Sequence, residues 1–293
     1  MDLNDDGYID VLSGSYSRME EDMAGLFQVL WGRRGGGFAR AEVLNGANGE
    51  PLIIPAAEED MTDKICTRPT AVDIDGDDKL DIVAGNFAGT FYSFPGLGAG
   101  RFQATGEFLS TGGERLAVDG HGDPFFVDWD GDGDLDMLSG SARGGVFLFV
   151  NEGSKERASF AKRRTLIEPA GYHTGETRFG DDFVTGPQTD TRVWVDDLNG
   201  DGKLDLLVGD NVILYYPAEG VDDSTAQRAL DEYASAQDVL SESYPAVSDG
   251  EAPTEEEQEA LDAWKQEYEA LIAKRDKVVR EERTGFVWVL HRK

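Results

Sequence analysis

Nine residues recur four times in this chain, and no other feature limits its fold so tightly. The copies read Asp-Leu-Asn-Asp-Asp-Gly-Tyr-Ile-Asp from Asp2, Asp-Ile-Asp-Gly-Asp-Asp-Lys-Leu-Asp from Asp73, Asp-Trp-Asp-Gly-Asp-Gly-Asp-Leu-Asp from Asp128 and Asp-Leu-Asn-Gly-Asp-Gly-Lys-Leu-Asp from Asp197. Loop positions 1, 3, 5 and 9 hold only Asp or Asn, and position 8 is always Ile or Leu. Carboxylates on alternate residues around a tight turn make an all-oxygen cage of the kind a hard divalent cation prefers. Ca2+ accepts such a cage in flexible geometry, whereas Mg2+ demands a strict octahedron and keeps its waters. Without a cation the clustered charges would repel one another. Calcium is therefore the expected ligand.

The spacing also fixes the kind of loop. An EF-hand needs a bidentate Glu at position 12, where this chain has Ser13, Ala84, Ser139 and Val208. Position 9 closes the cage instead, through Asp10, Asp81, Asp136 and Asp205. Position 13 is Gly14, Gly85, Gly140 or Gly209, after the short apolar runs Val-Leu-Ser, Ile-Val-Ala, Met-Leu-Ser and Leu-Leu-Val. Runs of that type predict buried strands, so each loop should feed a strand and not a helix.

The repeat is longer than the loop. Strand-like Pro-Thr-Ala-Val from Pro69, Pro-Phe-Phe-Val from Pro124 and Val-Trp-Val-Asp from Val193 precede three of the loops. Gly-led aromatic runs from Gly25, Gly89 and Gly145 follow, and then Phe38, Phe102 and Phe160, each expected to open a fourth strand carrying Leu44, Phe108 or Leu166. Four short strands per unit is a propeller-blade pattern. On these residues the chain resembles the FG-GAP or VCBS repeat family, whose blades build integrin-like calcium-binding β-propellers, over about residues 1–217. The resemblance implies an all-β propeller of about four blades in an incomplete ring. It also implies side-chain ligands Asp2, Asn4, Asp6 and Asp10 in loop one, and Asp73, Asp75, Asp77 and Asp81 in loop two. Loop three would use Asp128, Asp130, Asp132 and Asp136, and loop four Asp197, Asn199, Asp201 and Asp205. Tyr8, Lys79, Asp134 and Lys203 at position 7 would bind through backbone carbonyls. Asp78 stands where the pattern has Gly at position 6; Asp tolerates the left-handed backbone better than most residues.

The chain has 293 residues, a formal charge of −31 and one cysteine, Cys66. An acidic surface of that strength repels phosphate backbones and anionic membranes, and nucleic-acid binding is not expected. One cysteine allows no internal disulfide. No run reaches the ~18 apolar residues of a membrane span, and no signal peptide opens the chain. Met1 stands directly before Asp2, so the strand that should precede loop one is missing; a truncated N-terminus, with any export signal lost, is the expectation. Millimolar calcium outside the cytosol suits weak all-oxygen sites, with Kd of about 10⁻⁴–10⁻³ M. An extracellular, cell-surface or periplasmic location is expected from this chemistry and the resemblance.

Composition changes after Pro217. Residues 223–243 and 254–283 read as two helices, with capping-box spacing at Ser224/Gln227 and Thr254/Glu257. Their apolar stripes are Leu230, Tyr233 and Leu240, and Leu261, Trp264, Tyr268, Leu271 and Val278. The segment 222–283 is thus expected to be a helical hairpin inserted in a blade, with 284–293 returning as a propeller strand. Whether it interrupts strands two and three or three and four stays open, because Val212–Tyr216 could itself be strand three. The hairpin is either a docking arm or a decorated blade loop.

Catalytic signals are weak. His121 reads as a turn residue before a strand, and His291 carries no motif. His173, Glu176, Arg178, Asp181 and Asp182 in the long link 170–190 form an acid/base set only if the fold brings them together. No nucleophile motif, P-loop, dinucleotide-binding glycines or zinc spacing occurs. No catalytic residue is assigned. The chain is expected to be a calcium-binding interaction or adhesion module for a protein or polysaccharide partner. The alternative is a part of a secreted carbohydrate-active enzyme, a polysaccharide lyase or hydrolase.

Overall fold

The computed structural model describes residues 1–18, 23–55, 61–170, 179–182, 184–245 and 253–293. The chain divides into two compact units, one of 1–170, 186–211 and 285–293, the other of 171–185 and 212–284.

The first unit is a series of antiparallel sheets, one for each loop. Repeat one has Val11–Gly14, Phe27–Leu30 and Glu42–Val43. Repeat two has Arg68–Val72, Asp81–Gly85, Phe91–Phe94 and Glu107–Phe108, and repeat three has Asp123–Val127, Asp136–Gly140, Val146–Phe149 and Arg164–Ile167. In repeat four, Thr189–Asp196 pairs with Asp205–Pro217, which pairs with Val287–Leu290. Every nine-residue loop that follows a first strand is framed by one register pair: Val72↔Asp81, Val127↔Asp136 and Asp196↔Asp205. The position-9 Asp is therefore also the first residue of the second strand.

Apolar residues from adjacent sheets form three clusters. Phe27, Val29, Ile82 and Phe94 join repeats one and two; Phe91, Met137 and Phe149 join two and three; Leu138, Leu148, Val195, Leu206 and Val208 join three and four. Each such side chain, fully buried, contributes about 1.5–3 kcal/mol. The sheets stack because one face of each is apolar in the period-2 pattern that the apolar runs announce.

Position 13 must be glycine for a reason of space. A Cβ at Gly14 would lie 1.8 Å from the Thr67 carbonyl oxygen, at Gly85 2.0 Å from that of Gly122, and at Gly140 2.1 Å from that of Thr191. Thr67, Gly122 and Thr191 all stand at the entry to the next repeat. At Gly209, nothing among the described residues lies within 4 Å of such a Cβ. The same face of repeat four is open. Its cross-strand row Trp194–Leu207–Val289 corresponds to Phe125–Leu138–Leu148 in repeat three. Leu138 and Leu148 are fully buried, whereas Trp194 is 58% and Val289 51% exposed.

Several details differ from the sequence reading. Phe38, Phe102 and Phe160 do not open the fourth strands; they bridge back to Gly32, Gly96 and Asn151, just past the third strand. The long helices are Asp223–Glu242 and Glu255–Arg275, and Val279–Thr284, of which the residues up to 283 were expected to be helical, is a strand paired with Val212–Pro217. The β-branched pair Val278-Val279 and the available edge at Val212–Pro217 favour extension over another helical turn. The excursion leaves between the second and third strands of repeat four. The unit that holds it comprises 171–185 and 212–284.

Within that second unit, Asp222 caps the first helix by accepting from Thr225 N–H at 3.0 Å, and Ser224 donates to Asp222 instead of capping. Thr254 and Glu257 form the expected capping box. Trp264 Nε1 donates to the Leu240 carbonyl at 2.8 Å and its ring stacks on Tyr268. Arg275 is buried. It pairs with Asp276 and Glu281, both at 2.8 Å, and lies over the Tyr233 ring. Among the described residues no helix is long and apolar enough to cross a membrane.

Gly85→Ala and Gly140→Ala should each destabilise the chain by about 1–3 kcal/mol, because backbone must move to admit the methyl. Gly209→Ala should be neutral or slightly stabilising. Urea melts of the three variants test this; a large loss at Gly209 would contradict the open face.

Candidate metal centres

All four loops build one hydrogen-bond ladder. The position-1 Asp accepts backbone N–H groups from the far side of the turn. Asp2 accepts from Asp6 and Gly7 at 3.1 and 2.7 Å, Asp73 from Asp77 and Asp78 at 3.1 Å, Asp128 from Gly131 and Gly133 at 2.7 and 3.1 Å, and Asp197 from Gly200 and Gly202 at 2.8 and 2.9 Å. Position 3 accepts from the N–H of position 5: Asn4 from Asp6, Asp75 from Asp77, Asp130 from Asp132 and Asn199 from Asp201. Position 5 accepts from position 7: Asp6 from Tyr8, Asp77 from Lys79, Asp132 from Asp134 and Asp201 from Lys203. These short side chains turn the backbone with their own oxygens. Left-handed residues complete the turns, including Asp78 at φ 62° in the place of glycine.

The position-9 Asp is different. Asp10, Asp81, Asp136 and Asp205 are 3, 2, 1 and 0% exposed. One oxygen of each accepts the N–H of position 2: Leu3 at 2.8 Å, Ile74 at 3.1 Å, Trp129 at 2.9 Å and Leu198 at 3.2 Å. The other accepts an N–H just past the third strand: Gly32 at 2.7 Å, Gly96 at 2.6 Å, Asn151 at 2.7 Å and Arg292 at 3.0 Å. The residue expected only to close a cage thus also fastens the loop to the sheet. That role has one visible signature in sequence, the unvarying Asp after Ile or Leu, and its distant partners have none.

Three carboxylates converge in each of two loops. Asp73, Asp75 and Asp81, and Asp128, Asp130 and Asp136, each bring oxygens within 4.8 Å of one another and could hold a metal ion. Loops one and four have Asn4 and Asn199 at position 3, which offer amide oxygens in the same ladder. The donors are all oxygen, which fits a hard cation. Burial pushes the carboxyls of Asp81 and Asp136 above their usual range, against the pull of their backbone donors. Burial and the like charges of Asp132, Asp136, Asp130 and Asp128 do the same to Asp134. In loop two the Lys79 ammonium pairs with Asp77 and lowers its carboxyl. In loop four His291 Nδ1 lies 2.9 Å from Asp205 Oδ2 and 3.3 Å from Asn199 Nδ2, and holds Asp205 below the usual range. Nothing in sequence pointed to His291, which stands far along the chain from loop four.

His173, Glu176 and Arg178 lie outside the described residues, and Asp181 and Asp182 are placed without them. His121 packs on the Phe87 ring and meets Asp190 Oδ1 at 2.8 Å. Cys66 Sγ lies 3.6 Å from Arg68 Nη2.

Repeated β-sheets with acidic turns between the first and second strands define a class of repeat protein. Residues 73–139, spanning loops two and three, match the family model of the FG-GAP-like repeat. The chain therefore carries an FG-GAP-like repeat, in agreement with the resemblance drawn from its loops. Comparison with curated proteins gave no match.

The ladder separates two kinds of aspartate. Asp136→Ala removes the carboxylate that accepts from two backbone N–H groups at a buried position and should cost about 2–4 kcal/mol even in EDTA. Asp132→Ala, in the open part of the loop, should leave the EDTA melt nearly unmoved and act only when a divalent cation is added. Equal behaviour of the two variants in EDTA would contradict the division.

Proposed function

We propose that this chain is a calcium-binding β-propeller module of an exported or cell-surface protein, and that it binds a protein or carbohydrate partner without catalysing a reaction. The observation that carries this reading is the fourfold ladder, in which the same oxygens recur at positions 1, 3, 5 and 9 although the intervening residues vary. Calcium would screen these carboxylates and pin each turn. The covered faces of repeats one to three and the open face of repeat four support a ring in which a further sheet of the same kind follows. The acidic surface and the weak oxygen sites suit a compartment rich in free calcium. Partner recognition would lie in the variable loops and the helical insertion, since the scaffold alone specifies no ligand.

Thermal melts in EDTA, with stepwise Ca2+ and a parallel Mg2+ series, test the metal. At one hundred times Kd each independent site adds about 2.7 kcal/mol of stability. A Ca2+-selective rise that shrinks in Asp201→Ala is expected. An identical melt in EDTA and in millimolar Ca2+ would overturn the calcium reading.

A further inference from the structure

Position 7 distinguishes the loops. Loop one has Tyr8 there, loop two Lys79 and loop four Lys203; loop three alone has a carboxylate, Asp134. The Lys79 ammonium answers Asp77 with an ion pair. Asp134 has no such answer. Its side chain is 7% exposed, and Oδ1 is buried without a hydrogen-bond partner among the described residues. The largest charges acting on it are Asp132, Asp136, Asp130 and Asp128, all from the same loop and all of its own sign. Arg292, which reaches loop three, donates to the Trp129 carbonyl at 2.8 Å and covers the Trp129 ring.

A buried acceptor with no donor costs free energy, more so when it is charged. Five carboxylates in nine residues multiply that cost, and a divalent cation bound among them would offset it. Calcium affinity in oxygen loops rises with the number of charged ligands and the rigidity of the site. Loop three also has its anchors in place. Asp136 is fixed by Trp129 and Asn151, and the oxygens of Asp128, Asp130 and Asp136 already converge.

We propose that loop three is the strongest of the four divalent-cation sites, and that the Asp134 side-chain carboxylate, not only its backbone carbonyl, is what sets it above the others. The proposal rests on the calcium reading above and adds an order of filling to it. Loop three fills first and stays filled when calcium falls. Loops two and four, with lysine at position 7, follow at higher concentration.

Trp129 at position 2 supplies a local reporter. Loops one, two and four have Leu3, Ile74 and Leu198 in that place. Tb3+ bound in loop three should therefore luminesce on excitation of Trp129. Trp31→Phe removes the signal expected at loop one, where Trp31 approaches Asn4, and Asp201→Ala that of loop four, whose Gly202 and Lys203 share a cleft with Trp129. The full chain, stripped with EDTA, is titrated with Tb3+ by luminescence and with Ca2+ by calorimetry, beside Asp134→Asn, Asp134→Lys and the surface control Glu168→Gln. The first and tightest event in the unaltered chain should carry the tryptophan-sensitised signal. Asp134→Asn should weaken that event at least tenfold and Asp134→Lys further, with the later events and the control unchanged. In EDTA, Asp134→Asn should melt higher than the unaltered chain, because the uncompensated carboxylate is gone; in saturating Ca2+ it should gain less. A first event as tight in Asp134→Asn as in the unaltered chain would overturn the proposal. So would a first event without tryptophan sensitisation, or a lower EDTA melt accompanying weaker binding, which would mark Asp134 as structural. Absence of any ion binding by the unaltered chain would instead sink the calcium reading itself.

Discussion

The buried carboxylate at position 9 holds the rest of the first unit in place. It joins the start of the loop, the start of the second strand and the end of the third strand through two backbone N–H groups. A charge removed from water is costly unless it is hydrogen-bonded, and charge-assisted bonds to backbone donors are among the stronger ones. Because those donors are main-chain groups, the arrangement asks nothing of the residues that supply them. Gly32, Gly96, Asn151 and Arg292 serve equally. That indifference explains how repeats with different turns keep one geometry.

It also divides the work among the acidic residues. Position 9 is already committed to the sheet, whereas positions 1, 3 and 5 accept from their own turn, position 1 half-buried and position 5 exposed. The scaffold and the candidate cation site thus meet at the position-9 carboxylate, which in loops two and three also converges with positions 1 and 3. At loop four another side chain enters this arrangement: His291 lies against Asp205 and Asn199.

Much of this was legible in the sequence because it is local. Loop spacing, the strand after each loop, the Gly-led aromatic strands and the Thr254 capping box all follow from neighbours within a few residues. What escaped is what the chain brings together over distance. Phe102 and Phe160 look like the first residues of new strands, yet they are buried where they fold back on Gly96 and Asn151. Arg275 looks like an exposed helix-end cation, but the carboxylates of Asp276 and Glu281 and the Tyr233 ring make its burial favourable. The strand Val279–Thr284 was hidden by its four charged residues, which suit an exposed edge as well as a helix. Asp222 holds the cap in place of Ser224, its carboxylate accepting a charge-assisted bond from the Thr225 N–H.

The position of the insertion follows from one further repeated contact. Between the second and third strands, a polar side chain just after the position-13 glycine closes the turn. Ser15 accepts from Leu26 N–H at 2.8 Å, and Asn86 accepts from Gly89 and Thr90 at 3.0 Å. In repeat four the equivalent residue is Asp210, and it accepts from Phe286 N–H at 2.7 Å although the whole helical excursion lies between them. Its second oxygen takes Gln188 N–H at 2.8 Å and Trp288 Nε1 at 3.1 Å. Loop-closure entropy grows only with the logarithm of length, about 0.6 kcal/mol per doubling, so a pair of helices costs little more than a long turn once its base is tied. A carboxylate with two oxygens ties that base more firmly than the hydroxyl or amide used in the short turns. The sequence change at this position, from Ser or Asn to Asp, is therefore the local adjustment that lets repeat four carry an insertion and still return its third strand in register.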